Sequence, residues 1–348
     1  MGLNMSTRPE SPKPRLLSVH KSFLQGVGPI RALDISSTNH LLAGSRGTLI
    51  DIWDCERLCI LTQLSGHNEA VITIKFSKES IRIASCSMDG SIRIWGRSSG
   101  KWTCENVIRG NQDGWEWSCY WLLGGALASV GTHGVMNVWN SIHPCETPEL
   151  LGRIPAHTRS ANCVSSVTIS ANIYLITAGN DSMIALSELS RSPMGYPEVS
   201  ILRHIACALP GNIHDIETFE FNRNGECVFA AIGNDKSLRI WHISDVMDGK
   251  DHHVICWNKS YINCLRFSPD GRFLAIGDSA GSITIWTSPI RSLQISTRKV
   301  WSQKLRMGSI QSLVWTNIDR GALIVGLNAG HVAFVQLPSK FRSNSIFS

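Results

Sequence analysis

Between residues 30 and 336, apolar and polar side chains alternate in short runs of period two, the pattern of half-buried antiparallel strands. The stretch 71–95, VITIKFSKESIRIASCSMDGSIRIW, is the clearest instance. ITIKF and SIRIW read as alternating strands, and a shorter strand between them ends in small residues. Asp89-Gly90 supplies a two-residue hairpin turn, because both residue types tolerate positive φ. The pattern predicts three consecutive antiparallel strands joined by tight turns.

The same figure recurs. IRALDISSTNHLLAGSRGTLIDIW ends at Trp53, EWSCYWLLGGALASVGTHGVMNVW at Trp139, IETFEFNRNGECVFAAIGNDKSLRIW at Trp241 and INCLRFSPDGRFLAIGDSAGSITIW at Trp286. Two further copies put Ser187 and Val335 in the tryptophan slot. The slots stand at 53, 95, 139, 187, 241, 286 and 335, so the spacing runs from 42 to 54 residues over seven units. Repetition on that scale is the mark of a solenoid or a propeller.

These units resemble WD40 repeats over nearly the whole chain, carried by Gly66-His67, Ser85, Asp89 and Trp95 in the second unit and Trp53-Asp54 in the first. The resemblance implies an all-β fold, a divergent seven-bladed WD40-type β-propeller of radially arranged four-stranded blades. Closure then needs a fourth strand for the last blade, and RLLSVHKSFL at 15–24 has the right length and apolar spacing. The expected organisation is a flexible tail at 1–14, one propeller at 15–338 and a short C-terminal tail at 339–348. The blades are expected at roughly 30–65, 66–110, 111–155, 156–210, 211–258, 259–306 and 307–338.

In such repeats His67, Ser85, Asp89 and Trp95 are expected to form a buried hydrogen-bond network that holds blade geometry. The fourth unit matches at His157, Thr177 and Asp181 but has Ser187 for the tryptophan. At the aspartate position the third unit has His133, the sixth Ala280 and the seventh Ala329. A serine, a histidine and an aspartate this close also suggest a hydrolase triad. They belong to a repeat element without a GxSxG-type nucleophile turn, so no catalytic residue is assigned. The chain has no P-loop, Rossmann fingerprint or HExxH. Neither His252-His253 nor Cys55 and Cys59 has metal-site spacing, and no cofactor or metal is expected.

Composition narrows the class. The 348 residues are 43% hydrophobic and 17% charged, which excludes a disordered polyelectrolyte, and no apolar run approaches the ~20 residues that span a bilayer. The opening MGLNMSTRPESPKPR lacks the apolar run of a secretory signal, and eleven scattered cysteines suit reduced thiols. Both point to an intracellular protein of the cytoplasm or nucleus. Residues 279–348 carry eight bases against Asp319 alone, a local balance of +7 beside +6 for the whole chain.

Loop position nominates a partner-binding face: Asn68, Glu69, Met88, Asp113, Trp115, His133, Arg159, Asn180, Asn234, Tyr261, Lys304, Arg306 and Asn328. Within the aromatic run GWEWSCYW, Trp115, Trp117, Cys119 and Trp121 are expected on one side of a strand, with Trp117 and Trp121 packed between sheets. Trp115 lies one step earlier, in the loop, where it is either packed or an exposed anchor for a partner. A basic patch of Arg291, Arg298, Lys299, Lys304 and Arg306 reads either as protection of an edge strand or as a site for phosphate or an acidic partner. Met1-Gly2-Leu3-Asn4-Met5-Ser6 matches the myristoylation pattern, making Gly2 a candidate acceptor for a lipid anchor.

The function that follows is a non-enzymatic scaffold or adaptor that docks a peptide or domain of another protein. One alternative is a nucleic-acid- or phosphate-binding subunit that uses the basic sixth and seventh blades. Another is a substrate adaptor of a ubiquitin ligase. Against that second alternative, the WDxR motif of such adaptors fails at Glu56 after Trp53-Asp54-Cys55 and at Gly96 after Trp95.

Overall fold

The computed structural model describes residues 19–20, 28–38, 40–57, 59–109, 114–140, 147–191, 197–206, 208–221, 226–250, 253–289, 296–316, 322–338 and 341. The expected tail at 1–14, Gly2, Asp113, Arg291 and most of 15–24 and 339–348 lie outside these residues.

Seven four-stranded antiparallel sheets follow one another along the chain. Their inner strands are Leu33–Ile35, Val71–Phe76, Glu116–Trp121, Ala161–Ile169, Ile213–Phe221, Ile262–Phe267 and Ile310–Thr316. Every tryptophan-slot residue falls on the third strand of its sheet, from Trp53 on Leu49–Asp54 to Val335 on Val332–Gln336. Strands two and three are buried on both faces because each sheet is covered by its two neighbours. This explains apolar and small-residue runs such as ECVFAAIG. Outer strands such as Cys59–Leu64 and Lys299–Lys304 alternate toward solvent instead.

The last sheet takes its outer strand from the other end of the chain. Val19–His20 pairs antiparallel with the third strand of blade 7, Val19 opposite Val335 and His20 opposite Phe334. Closure of this kind removes an exposed edge. The core is correspondingly circular, with one apolar cluster at each of the seven blade boundaries, including the one where Ile30, Leu33 and Trp53 meet Val314, Ile324 and Val332.

Hydrogen bonds also cross every boundary between inner strands. Asp34 Oδ2 accepts from Phe76 N (2.6 Å), Thr73 Oγ1 donates to Trp117 O (2.8 Å), and Val164 N donates to Ser118 Oγ (3.4 Å). Ser165 Oγ lies 2.8 Å from Thr218 Oγ1, Arg266 Nη1 donates to Asp215 (2.8 Å), Asn263 Nδ2 to Ile310 O (2.7 Å) and Leu33 N to Ser312 Oγ (3.0 Å). A ring stitched this way presents its loops on a stiff frame. No helix among the described residues is long and apolar enough to cross a membrane. The connection after Trp241 contains one helical turn, Ile243–Met247. It buries Ile243 and Val246, and the carbonyls of Val246 and Gly249 accept from Arg203.

Candidate partner-binding face

The loops that enter the inner strands and the turns between strands two and three emerge on one face, and blade 2 shows how they are tied. Trp95 Nε1 donates to Ser85 Oγ (2.9 Å), Ser85 Oγ lies 2.8 Å from His67 Nε2, and His67 Nδ1 lies 2.9 Å from Asp89 Oδ2. An indole only donates and a carboxylate only accepts, so the ends of this chain fix the direction of each hydrogen between them. Burial opposes ionisation of Asp89, but hydrogen bonds from Ser91, the Asn68 backbone and His67 outweigh it and hold the carboxyl at about 2. Burial pushes His67 below its ordinary value, with Asp89 offsetting only part, so the ring is neutral at pH 7. Blade 4 repeats the link from Thr177 to His157 (2.9 Å) and on to Asp181 (3.0 Å), and the Ser187 hydroxyl that replaces the indole has no hydrogen-bond partner.

Around the channel mouth the inner strands share a feature absent from the sequence reading. In six of them the pairing register skips one residue near the start of the strand, a β-bulge. The skipped residues are Ile72, Trp117, Asn162, His214, Asn263 and Gln311. In blade 1 the same position is Arg31, just before Ala32, whose carbonyl accepts from Ser45 N. All seven line one cavity of about 410 Å³ on the propeller axis. Round the ring, blades 2 and 3 contribute an apolar arc and blades 4 to 7 a polar one.

The polar arc is held in place. Asn162 Nδ2 donates to Asn180 Oδ1 (2.6 Å) and Ile213 O (2.7 Å), Asn263 Nδ2 to Ser309 Oγ (2.9 Å), and Gln311 Nε2 to the same hydroxyl (3.0 Å). His214 Nε2 lies 2.6 Å from Asn234 Oδ1. Deeper in the channel Arg266 bridges Asp215 and Glu217 (3.2 Å). Burial raises the Glu217 carboxyl despite that cation, and it raises Asp34 likewise.

The bulge corrects one expectation. Trp121 packs against blade 2, its Nε1 donating to Lys75 O (3.0 Å), and Cys119 is buried beside it. Trp117 instead lines the channel, because the extra residue between Glu116 and Ser118 breaks the alternation that would have sent it between sheets. Trp115 is 46% exposed and stands edge-on to Trp117, ring centroids 5.2 Å apart. Between them in sequence, Glu116 is fully buried, and burial raises it to about 7, with the Ser129 hydroxyl offsetting only part.

Of the other nominated residues, Asn180 and Asn234 brace the mouth, while Met88 is half-buried. Asn68, Glu69, His133, Arg159 and Asn328 are exposed rim residues. Tyr261 is half exposed, with Lys236 Nζ 4.8 Å above its ring, and Trp257 beside this pair is 65% exposed. Lys304 and Arg306 lie at the loop-bearing face, whereas Arg298 and Lys299 lie at the far end of the same outer strand, opposite Thr287 and Trp286. Sequence reasoning missed Arg31, His214, Asn263, Gln311 and Trp257. Aligning the seven units would have shown the first four in one column, the residue after the first apolar position of each inner strand.

A model of the WD domain, G-beta repeat, matches residues 58–96 and 249–287, each match ending just past a tryptophan slot. The guanine nucleotide-binding protein subunit beta of Saccharomyces cerevisiae is 25% identical over 225 residues, 64% of this chain and 50% of that protein. The WD repeat-containing protein 89 homolog of Dictyostelium discoideum is 28% identical over 180 residues, 50% of this chain and 47% of that protein. The p21-activated protein kinase-interacting protein 1-like of Gallus gallus is 24% identical over 227 residues, 64% of this chain and 55% of that protein. The chain spans about half the length of these relatives.

Proposed function

The chain is a WD40-repeat propeller, and from that premise we propose that it is a non-enzymatic docking platform inside the cell. A segment of another protein binds across the loop-bearing face, centred on the channel mouth. The observation that carries this reading is the ring of bulged residues around a cavity of about 410 Å³, with the half-exposed Trp115 at its edge. Large aromatics at the rim of a polar pocket are the usual anchors of binding energy. A braced mouth orders little on binding, so little affinity is lost to conformational entropy. The relatives agree in kind, since one is described as kinase-interacting and another as a subunit of a larger protein.

The test is affinity purification of the tagged chain from its own cell extract, with and without nuclease. Partners that survive nuclease and are lost with Trp115→Ala or Gln311→Ala are the expected result. Partners indifferent to both variants would overturn the reading. Partners lost on nuclease treatment would favour the second reading, a nucleic-acid-binding subunit. Its support is the exposed bases Arg298, Lys299, Lys304 and Arg306, and its own mark is affinity that falls steeply with salt.

A further inference from the structure

We infer that the channel mouth selects a carboxylate next to an apolar side chain on its peptide ligand, with Arg31 as the residue that reads the acid. The inference rests on the docking reading above and narrows its ligand. Arg31 is the one permanent cation among the seven matching mouth positions, it is exposed, and it enters no ion pair among the described residues. Of the other cations lining the cavity, Arg266 is already committed to Asp215 and Glu217, and Lys75 is drawn to Asp34 and Glu217 with its Nζ 5.6 Å from the Tyr120 ring. The amide donors on the polar arc are committed as well: Asn162 and Asn263 donate to backbone carbonyls, and Gln311 to Ser309. The guanidinium of Arg31 is therefore the charged donor at the mouth with no acid bonded to it among the described residues, and its planar fork suits a carboxylate in two-point contact.

Position supplies the second half of the specificity. In the ring Arg31 stands between Gln311 of blade 7 and Ile72 of blade 2, with Trp117 next beyond. An acid held by Arg31 thus has an apolar arc on one side, and the adjoining ligand residue meets Ile72 and Trp117. No ion pair among the described residues joins a rim acid, Glu69 included, to Arg31. Asp89, Asp181 and Asp235 are each bonded to a blade partner, and Asp278 caps its own turn.

The test selects a random linear peptide library displayed on phage against the full chain, followed by anisotropy titration of the enriched peptides. Expected peptides carry Asp or Glu beside an apolar residue and lose about tenfold in affinity on Arg31→Gln, the size of one charged hydrogen-bond pair. Arg306→Gln, on the same face but away from the mouth, should change affinity less than about threefold. Arg31 is exposed and unpaired, so its variant keeps the fold. Mouth-binding peptides without an acid, or with equal affinity for Arg31→Gln, would overturn acid recognition and leave the docking reading intact. Replacing the acid by phosphoserine with a gain above about tenfold would overturn it in favour of phosphate. Peptides insensitive to Arg31→Gln, Trp117→Ala and Gln311→Ala together, or no enrichment at all, would overturn both.

Discussion

In blade 2 the loop residue His67 reaches the turn residue Asp89 across 2.9 Å, and Ser85 and Trp95 carry the link into the sheet. In blade 5 the corresponding positions hold Leu209, Asp235, Ala231 and Trp241. There Arg239 spans the same gap from below, donating to the loop carbonyl of Ala208 (2.6 Å) and to Asp235 (3.0 Å), while Trp241 stacks flat on Phe229 at 5.0 Å. Arg93, at the equivalent position of blade 2, reaches Cys104 instead. Blade 6 uses a third arrangement, with Asp278 accepting from Ala280 N and Ser282 N in the turn and from Asn258 Nδ2 in the loop. What a blade requires is a tie between loop and turn; the residues that make it are exchangeable.

If the two ties are equivalent, cutting either should cost similar stability. Asp89→Ala strands four donors and should cost about 4 kcal/mol, and Arg239→Leu leaves Asp235 buried without its cation and should cost about 3 kcal/mol. Urea denaturation of both variants checks this. A near-neutral Arg239→Leu would break the comparison.

Blade 3 sharpens it, because its turn has His133 where blades 2, 4 and 5 have an aspartate, and its own carboxylate, Glu116, is buried with only the Ser129 hydroxyl to offset the burial. Burial lifts Glu116 from 4.5 to about 7. Between those values the folded chain holds a proton that the unfolded chain has released. Stability therefore falls as pH rises through this window and stays lower above it, by about 3 kcal/mol. Glu116→Gln should melt higher than the parent at about pH 8 and alike at about pH 4. Equal melting curves at both would show that Glu116 is solvated.

Two smaller effects concern the hydroxyl that joins tryptophan to histidine. In blade 1 that position is Gly44, and an added Cβ would stand 2.7 Å from Trp53 Cζ3. Gly44→Ser should consequently cost about 2 kcal/mol through overpacking rather than complete a network. In blade 3 the hydroxyl of Ser129 accepts the Trp139 indole (3.0 Å) and donates toward Glu116, so Ser129→Ala should cost about 1 kcal/mol. Thermal melts of the two variants side by side give the order directly.

The seven units, their slots and the closing strand were all legible in the sequence, because period-two alternation and Asp-Gly turns act over a few residues. The complete tie in blade 2 was legible for the same reason, its four residues sitting at fixed offsets within one repeat. Arg239 and Asp278 were not, since each makes its tie from a position that carries no signature residue in the repeat, Arg93 and Ser87 standing there in blade 2. Trp117 was misread because a single extra residue in Glu116–Trp121 reverses which way the side chain faces, and a bulge leaves no mark in the alternation around it.

Read alone, the sequence determined seven units of antiparallel strands, since strand, turn and repeat length are local properties that each unit carries for itself, and the resemblance to WD40 repeats implied that they close into a ring. Only the tertiary structure decided what stands at the centre. Arg31, Ile72, Trp117, Asn162, His214, Asn263 and Gln311 come from seven separate blades and share a wall only once the ring has closed. Their proximity is set by blade packing and register, which no segment of the chain encodes by itself.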